Sequence, residues 1–251
     1  MRTFFNPGWS HPANVLSVQS LRAGGFSTAP FDTLNLGVFS ADPQATKNLQ
    51  HLAHNAALPH VPRFMRQTHS DTVIELTRQC VQADHGFTRG DACFTRQPGV
   101  VCGVLTADCL PILLSDHAGT VVAAIHAGWR GLFSGIIAKT IQAMAATGLS
   151  AWIGPGIGYA HYVVSADFRQ RFVDRDPACA PFFYWSEKQQ QWHADLKRLA
   201  KHQLVHAGVT DIAASPLCTY ANPDLFFSYR RDHQRLGDTG RHACFIWIDM
   251  P

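Results

Sequence analysis

The pattern of hydrophobic and polar positions predicts strands and helices that do not alternate strictly along the chain. Short apolar or β-branched runs indicate strands, and amphipathic stripes bounded by capping residues indicate helices. The predicted strands are Val15–Ser20, Thr72–Leu76, Val100–Leu105, Pro111–Ser115, Val121–Ile125, Trp152–Ile153 and Ala243–Ile248. The predicted helices are Asp42–Leu58, Gly131–Thr147 and Asp195–Ala207. This order favours an α/β or α+β fold with mixed β-sheets flanked by helices.

Length and composition predict one layered domain. The chain has 251 residues, of which 46% are hydrophobic and 16% are charged. The charged fraction is below the roughly 25% of soluble proteins, which excludes disorder and a coiled coil. A chain of this length can bury a core without disulfides or structural metals. Because no repeat, low-complexity tract or Gly/Ser linker marks a boundary, we expect residues 1–251 to form a single domain.

Net charge, the longest apolar run and the cysteine content indicate which partners and which cellular compartment to expect. Lys plus Arg number 21 against 18 for Asp plus Glu, and this net charge of +3 is too small to predict binding to nucleic acid or to a membrane. The longest apolar run, Val100–Leu114, is interrupted by Thr106 and Asp108, so it falls short of the ~18 residues of a membrane span. Seven cysteines without a CxxC pair predict free thiols. We therefore expect a soluble, cytoplasmic protein that is a monomer or a weak homo-oligomer.

The most informative pattern is a predicted hairpin formed by Pro111–Ser115 and Val121–Ile125. Cys109 and His126 lie equally far from the centre of its turn, so the sequence predicts that they face each other. Directly opposed residues have Cβ atoms about 4.5–5.5 Å apart. That spacing suits a thiolate and an imidazole on one metal ion. It equally suits a cysteine nucleophile with a histidine base.

The residues around this pair add candidate chemistry. Asp108 directly follows a buried strand, where a charge is costly unless it has a function. His69 follows another short apolar segment and could supply a third metal ligand, leaving an open fourth position as in catalytic zinc sites. Trp129 is more commonly a packing residue than a stacking platform, and a lone buried cysteine is usually a small apolar residue.

Two further groups have simpler interpretations. His202 and His206 have the i, i+4 spacing of a zinc site on a helix, but the HExxH glutamate is missing and basic neighbours indicate a solvated face.

Near the C-terminus, Arg230, Arg231 and Arg241 lie close in sequence to two hydroxyl residues. Such a cluster could bind a phosphate or a carboxylate through charge-assisted bonds. Arginines in a loop can also simply be solvated, and both interpretations stay open.

Five motifs together resemble the laccase-domain or YfiH-type family: TADCLP (106–111), HAGWRG (126–131), QTH (67–69), LNLG (34–37) and SYRR…TGR (228–241). Members of this family are variously named polyphenol oxidase, purine nucleoside phosphorylase and peptidoglycan editing factor. The resemblance covers nearly the whole chain. It implies a single layered α/β domain similar to the catalytic domain of cytotoxic necrotising factor toxins. It also implies a metal, usually zinc, held by His69, Cys109 and His126.

One segment departs from the family pattern. Relatives often have a cysteine after Gly-Pro and a Tyr-Glu-Val segment, whereas this chain has Gly156 and Val163 at those places. The role of the Gly154–Gly158 loop is therefore left open.

The resemblance implies a zinc-dependent enzyme whose small-molecule substrates are a purine nucleoside and phosphate. The reactions implied are phosphorolysis of adenosine, inosine and methylthioadenosine, together with deamination of adenosine. A zinc site suits deamination because zinc lowers the pKa of bound water to about 7. The expected catalytic residues are Asp108 for proton transfer, Cys109 and Arg130. The expected substrate-binding residues are Gln67, Trp129, Ser228, Arg230 and Arg241, with the arginines as the cations for phosphate.

Two other activities remain as alternatives. A cysteine hydrolase or amidase that edits a peptidoglycan precursor would use Cys109 as nucleophile and His126 as base. A copper-dependent polyphenol oxidase is the less favoured alternative, because a multicopper site needs many histidines in His-x-His pairs. None of the 14 histidines is in such a pair, although copper at His69, Cys109 and His126 could give weak activity.

Overall fold

The computed structural model describes residues 2–82 and 88–250. Its strands are Phe4–Phe5 (β1), Val15–Ser20 (β2), Val73–Glu75 (β3), Ala92–Thr95 (β4), Cys102–Thr106 (β5), Leu110–Asp116 (β6), Val122–Ala127 (β7), Leu149–Ile153 (β8), Val163–Val164 (β9), Phe183–Ser186 (β10), Gln191–Ala194 (β11), Asp211–Ala214 (β12) and His242–Ile248 (β13). Its α-helices are Ala45–Asn55 (α1), Arg78–Gln82 (α2), Trp129–Ser134 (α3), Ile136–Met144 (α4), Ala166–Arg175 (α5), Leu196–His206 (α6) and Tyr229–Leu236 (α7). Short 3₁₀-helices span Tyr159–His161 and Pro177–Phe182.

The strands form three sheets. The largest has the order β12-β8-β6-β7-β4-β3, with parallel pairs at its two edges and antiparallel pairs between them. A second sheet, β1-β2-β13-β5, and a third, β10-β11-β9, are antiparallel throughout. The predicted mixed α/β class is confirmed, and within residues 2–82 and 88–250 the mixed sheet is the six-stranded one.

The two larger sheets pack face to face between layers of helix. Leu113 and Trp152 of the six-stranded sheet share a buried cluster with Val104 and Ile246 of the four-stranded sheet. The opposite face of the six-stranded sheet is covered by α3, α4 and α6. The outer face of the four-stranded sheet is covered by α1. Strands covered on both faces are apolar on both faces, which explains why β6 and β7 are continuous hydrophobic runs in the sequence.

The hairpin of β6 and β7 differs in register from the prediction. Pro111 lies opposite His126, so Cys109 precedes the ladder and does not face His126 across it. The cause is the turn, in which the Asp116 carboxylate accepts the N–H groups of Thr120 and Val121 and the hydroxyl of Thr120. These bonds add turn residues and move the centre of the hairpin toward its second strand.

The prediction of a single helix over Gly131–Thr147 is also wrong. The structure has two helices, α3 and α4, which meet at Gly135. The φ angle of Gly135 is 86°, a left-handed conformation that ends α3 and that glycine adopts without a steric penalty. The predicted α1 and α6 are confirmed as helices with shifted ends, and the predicted strand Val15–Ser20 matches β2. In the part of the chain that the structure describes, no helix is long and apolar enough to cross a bilayer.

Candidate metal centre

Three loops and strand ends bring His69, Cys109 and His126 together. One donor atom from each side chain lies within 4.8 Å of the other two. The Cys109 Sγ and His69 Nε2 atoms are 3.7 Å apart, and the rings of His69 and His126 meet edge to face with centroids 4.8 Å apart. The convergence therefore survives the change of register, because Cys109 lies on the turn between β5 and β6 rather than within the ladder.

The turn and loop that carry two of these donors have unusual backbone conformations. The φ angle is 60° at His69 and 96° at Asp108, the residue before Cys109. Positive φ is uncommon outside glycine, and such strained residues concentrate at functional sites. The chain is held in these conformations by hydrogen bonds to two buried carboxylates, Asp91 and Asp108.

Asp91 is a site residue that sequence reasoning missed. Its side chain is fully buried, and Oδ1 accepts hydrogen bonds from His126 Nδ1 at 2.8 Å and from the His69 N–H at 3.0 Å. Oδ2 accepts the N–H and hydroxyl of Ser70 and the N–H of Thr68. One carboxylate thus fixes the loop of the first histidine and the ring of the second. It leaves Nε2 of His126 facing the centre, as outer carboxylates do in metal sites.

A sequence signal for Asp91 existed. Asp91 directly precedes β4, so it is a charged residue at the end of a buried strand, the same feature that singled out Asp108. Burial by itself raises the pKa of the Asp91 carboxyl, but hydrogen bonds from His126 and Ser70 hold that pKa well below its ordinary range. Asp91 is therefore ionised at neutral pH.

The charges of Cys109 and His126 are coupled. Burial alone would raise the pKa of the Cys109 thiol, yet the neighbouring His126 and a hydrogen bond from His69 lower it to about 6. Burial alone would lower the pKa of His126, yet the Cys109 thiolate and Asp91 raise it to about 9. Without a metal, the pair is therefore a thiolate and an imidazolium at neutral pH.

We expect the Cys109 thiolate of the metal-free protein to titrate with a midpoint near pH 6. The depressed pKa of Cys109 stabilises the fold above the thiol's ordinary value of about 8.5, and this stabilisation is lost as pH falls through 6. The raised pKa of His126 stabilises the fold below about 6.5, and this is lost as pH rises through 9. Because the two effects offset each other in between, ultraviolet absorbance of the thiolate is the better measurement.

The other thiols are removed from this titration by subtracting the spectrum of a Cys109→Ser variant. A difference signal with its midpoint at the ordinary thiol pKa of about 8.5 would contradict the pairing of Cys109 with His126.

Gly128 makes room for the donor atoms. A Cβ atom at this position would lie 2.9 Å from Cys109 Sγ and 2.9 Å from His69 Cδ2. Real Cβ atoms essentially never approach other atoms so closely. The glycine of the HAGWRG motif is therefore required by the space between the thiol and the imidazole.

Gly128→Ala is expected to weaken metal binding by more than about 10-fold, because the added methyl group must displace a donor atom. The φ angle of Gly128 is −73°, so alanine is compatible with the backbone and the fold should persist. Competition with a chromophoric chelator measures the affinity. Gly8→Ala is the matched control, since its Cβ would meet nothing within 4 Å. Equal affinities in the two variants would disprove this steric role.

Asp108 lies beside the centre but its carboxylate is directed to α7. Oδ1 accepts the Thr219 hydroxyl at 2.6 Å, and Oδ2 accepts the Ser228 hydroxyl at 3.0 Å and the Arg230 N–H at 2.7 Å. Ser228 is itself the N-cap of α7. These bonds tie the Cys109 turn to the start of α7 and give both Asp108 and Ser228 a positioning role. The predicted proton transfer by Asp108 and substrate binding by Ser228 stay predictions.

Gln67 and Trp129 also have contacts within the protein. The Gln67 amide donates to the carbonyl of Leu105 and accepts from its N–H, both at 2.8 Å, which anchors the QTH segment to β5. The half-buried Trp129 ring packs edge to face on Phe168, and the Arg130 guanidinium lies 4.6 Å from its centroid. Their roles in substrate binding stay predictions.

The charges of two predicted phosphate-binding arginines, Arg130 and Arg230, act on the hydroxyl of Tyr162. Burial raises the pKa of Tyr162 and the Cys109 thiolate raises it further, whereas the charges of Arg230 and Arg130 lower it. The Arg230 guanidinium lies 5.1 Å from the Tyr162 ring centroid. Both arginines are exposed, so their charges are available beside the candidate centre.

The other arginines of the C-terminal cluster are held elsewhere. Arg231 donates to the carbonyls of Thr219, Tyr220 and Phe226 and pairs with Asp232, which is a structural role. Arg241 donates to the carbonyls of Thr239 and Gly240, and its guanidinium lies 5.8 Å from the Tyr229 ring centroid. Arg231 and Arg241 are thus held by contacts within the protein, and their binding of phosphate stays a prediction.

The Gly154–Gly158 loop supports the Cys109 turn through its backbone. The Gly154 N–H donates to Pro111, and the Ile157 N–H donates to Asp108. Its family cysteine is absent, but Cys218 from another part of the chain accepts the N–H of Gly158 at 3.1 Å. These hydrogen bonds place the loop against Asp108, the residue before the thiol.

Comparison with known proteins identifies relatives over nearly the whole chain. Residues 17–249 match the family model described as multi-copper polyphenol oxidoreductase laccase. A Shigella flexneri protein named purine nucleoside phosphorylase YfiH is 39% identical over 247 residues, covering 96% of this chain and 97% of that one. A Pseudomonas aeruginosa protein, also named a purine nucleoside phosphorylase, is 37% identical and covers 99% of each chain.

Solved structures are also similar to this chain over nearly its whole length. A Neisseria meningitidis protein superposes with a TM-score of 0.90 at 36% identity, covering 99% of this chain and 100% of that one. YlmD from Geobacillus stearothermophilus has a TM-score of 0.87 at 28% identity and covers 100% of both chains. The expected similarity to the necrotising factor domain stays a prediction. The match across motifs, length and fold establishes that this chain belongs to the laccase-domain family of YfiH-type proteins.

Proposed function

We propose that this protein is a zinc-dependent purine nucleoside enzyme that phosphorolyses adenosine, inosine and methylthioadenosine and deaminates adenosine. The observation that carries the proposal is the convergence of His69, Cys109 and His126 within 4.8 Å. Relatives at 37–39% identity are named purine nucleoside phosphorylases, which supports the substrate class.

The donor set fits zinc. Two imidazole nitrogens and one thiolate are preferred zinc ligands, and three protein ligands with an open position are typical of catalytic sites. Asp91 holds His126 in the tautomer that leaves Nε2 free, and Gly128 keeps the space between the other two donors open. Zinc bound there acts as a Lewis acid and lowers the pKa of water. Copper also accepts these donors, but a multicopper site is not supported by the histidine pattern.

Phosphorolysis requires an anion site beside the nucleoside. A phosphate oxygen attacks C1′ of the ribose, the C1′–N9 bond breaks, and the purine leaves with the electron pair and takes up a proton. We assign Arg130 and Arg230 to the phosphate, because both are exposed and the charges of both lower the pKa of Tyr162, which the Cys109 thiolate raises. Guanidinium groups suit this role through charge-assisted, bidentate bonds.

The remaining predicted residues form the other side of the proposed site. Trp129 provides an aromatic surface for the purine, and Asp108 is the candidate for proton transfer in deamination. Gln67 and Ser228 set the positions of β5 and α7 around the substrate. Arg241 stays a predicted phosphate ligand that would have to leave its contacts with Thr239 and Gly240.

The anion site is tested with Arg230→Gln. We expect the KM for phosphate to rise by about 10-fold or more, because a charged hydrogen-bonding partner contributes roughly 1.5–3 kcal/mol. Zinc content should not change, since Arg230 contacts Asp108 through its backbone N–H, which glutamine retains. Arg235→Gln on the same helix is the control, because its side chain is 69% exposed and pairs with Asp232. A KM for phosphate that is unchanged in Arg230→Gln would remove this residue from the anion site.

The reaction itself is assayed with adenosine, with and without phosphate. Adenine that forms only when phosphate is present supports phosphorolysis, and inosine that forms without phosphate supports deamination. An inert, fully zinc-loaded protein would contradict the proposed function.

A cysteine hydrolase is the second candidate, because Asp91, His126 and Cys109 form a chain of hydrogen-bonding partners. Asp91 orients His126, and His126 lowers the pKa of the Cys109 thiol, as in cysteine-histidine enzymes. Attack of this thiolate on an amide of a peptidoglycan precursor would form an acyl-enzyme and release the amine. A thiolate bound to zinc is a poor nucleophile, so tight zinc binding at Cys109 excludes this mechanism.

A further inference from the structure

A second cluster of metal-ligating side chains lies between α6 and the 3₁₀-helix Pro177–Phe182. Asp176, Cys179 and His202 each offer a donor atom, and these atoms lie within 4.8 Å of one another. The Asp176 Oδ2 atom is 2.8 Å from His202 Nε2 and 3.7 Å from Cys179 Sγ. The cluster shares no residue with the candidate centre described above.

The elements that carry these three side chains hold their donor atoms close together. Asp176 is the N-cap of the 3₁₀-helix and uses Oδ1 to accept the Ala178 N–H, which leaves Oδ2 directed at the cluster. Cys179 lies one turn later and is only 3% exposed. His202 extends from α6, which Asp195 caps at its other end. The basic neighbours of His202 in the sequence predict a solvated face. This prediction is wrong for His202, because its side chain is only 15% exposed.

His206 supplies a fourth donor one helical turn after His202. The two ring centroids are 4.2 Å apart, and the His206 ring is exposed, so it would have to reorient to bind together with the other three side chains. The resulting pattern is Asp-x-x-Cys followed by His-x-x-x-His. Structural zinc sites have the same arrangement of two close ligands on a turn and two on a helix, commonly with cysteine where this chain has Asp176.

The cluster borders a cavity of about 530 Å³ whose lining includes Asp176, Cys179, Gln203 and His206. Gln203 donates through Nε2 to the carbonyl of Leu132, but its buried Oε1 has no hydrogen-bond partner in residues 2–82 and 88–250. A buried acceptor left unpartnered in a cavity wall that also carries carboxylate, thiol and imidazole groups is where bound water or an ion is expected. The same cavity wall thus carries an unsatisfied acceptor and three side chains suited to a metal, Asp176, Cys179 and His206.

We propose that Asp176, Cys179, His202 and His206 form a second zinc site, which ties the 3₁₀-helix to α6. Thiolate, imidazole and carboxylate donors together favour zinc over magnesium or calcium, which prefer oxygen ligands alone. Ligands of one tetrahedral zinc are roughly 3.3–3.8 Å apart, given zinc bonds of about 2.0–2.3 Å. The pair of Asp176 and Cys179 already has this spacing, and His202 must move back by a few tenths of an ångström as its hydrogen bond to Asp176 is replaced.

The site is tested first by zinc stoichiometry. Elemental analysis of the full-length protein, loaded with zinc and freed of excess metal, should give two zinc ions per chain in the wild type. Cys109→Ser should retain one, which is the ion of the second site, and Cys109→Ser combined with Cys179→Ser should retain none. Because the first comparison removes only the candidate catalytic ion, a failure of the proposed function leaves the result at the second site readable.

Absorption spectra of the cobalt-substituted protein test whether Cys179 is a metal ligand. In the Cys109→Ser background, Co²⁺ should give a thiolate-to-metal charge-transfer band that disappears when Cys179→Ser is added. Cys80→Ser is the control, because Cys80 is exposed and outside both clusters. His206→Gln guards against a folding defect in the cysteine variant, since His206 is exposed; it should lower the zinc affinity of the second site by more than about 10-fold. One zinc per wild-type chain, with no charge-transfer band in Cys109→Ser, would overturn the proposal.

Discussion

The Cys109→Ala protein is expected to lose zinc from the candidate catalytic centre and at least about 10³-fold in kcat/KM for nucleoside, which corresponds to about 4 kcal/mol of transition-state stabilisation. Cys109 supplies one of three donors within 4.8 Å, and its thiol reaches thiolate form at a pKa of about 6. Alanine removes the anionic ligand and leaves only the two imidazole rings. Zinc analysis and steady-state assays on the same sample measure both effects.

Two further variants test whether the effect is specific to the thiolate of Cys109. Cys80→Ala changes an exposed thiol outside the centre and should match the wild type in both measurements. Cys109→Asp restores an anionic zinc ligand and should recover zinc while recovering little activity, since carboxylate is a weaker donor for this ion than thiolate.

The same variant separates the two candidate functions. Loss of zinc together with loss of nucleoside turnover supports the zinc enzyme. If Cys109→Ala holds as many zinc ions per chain as the wild type, the thiol is not a ligand, and Cys109 would then be free to act as the nucleophile of a hydrolase. Full nucleoside turnover by Cys109→Ala would exclude this site from the reaction altogether.

The elements that were predictable from the sequence are those with one dominant local cause. β2 and α6 were predicted because an apolar run or a capped amphipathic stripe specifies each of them without reference to distant residues. The division between α3 and α4 was missed because Gly135 lies inside a continuous apolar stripe. The stripe fits one helix, and only the left-handed φ angle shows that the chain changes direction there.

The hairpin register was missed for a similar reason. The side chain of Asp116 bonds to Thr120 and Val121 and adds turn residues, and no periodicity in the strands reports this. Even so, His126 keeps the face on which it approaches Cys109, because a shift of the turn centre by one residue changes each cross-strand pairing by two positions. Side chains alternate with a period of two, so the faces of the strands are preserved.

Within the site, motif spacing predicted the three donors but not the residues that hold them. Asp91 belongs to none of the five motifs, and its importance comes from donors on two separate segments, the Thr68–Ser70 loop and His126, that meet in space. The basic sequence neighbours of His202 predict a solvated face for it. Its partners, Asp176 and Cys179, are more than twenty residues away and reach it only through the packing of α6. Tertiary contacts of this kind are not encoded in local pattern.

Asp91→Asn is the substitution for which we expect the largest combined effect on stability and metal binding. Asparagine has the same shape but loses the charge, and its amide N–H₂ would face N–H donors that now bind a carboxylate oxygen. We expect the free energy of unfolding to fall by about 2–4 kcal/mol, because buried donors lose their acceptor. Zinc affinity should fall by about 10–100-fold as His126 loses its orienting partner.

The pH dependence follows from the same carboxylate. The pKa of Asp91 is held well below its ordinary value in the folded protein, so its ionisation stabilises the fold above about pH 4 and this stabilisation is lost as pH falls further. Urea unfolding at neutral and at acidic pH should therefore show a smaller loss of stability on acidification in Asp91→Asn than in the wild type. Asp71→Asn is the control, because Asp71 is a partly exposed partner of Lys139. If Asp91→Asn unfolds and binds zinc like Asp71→Asn, Asp91 does not organise the centre.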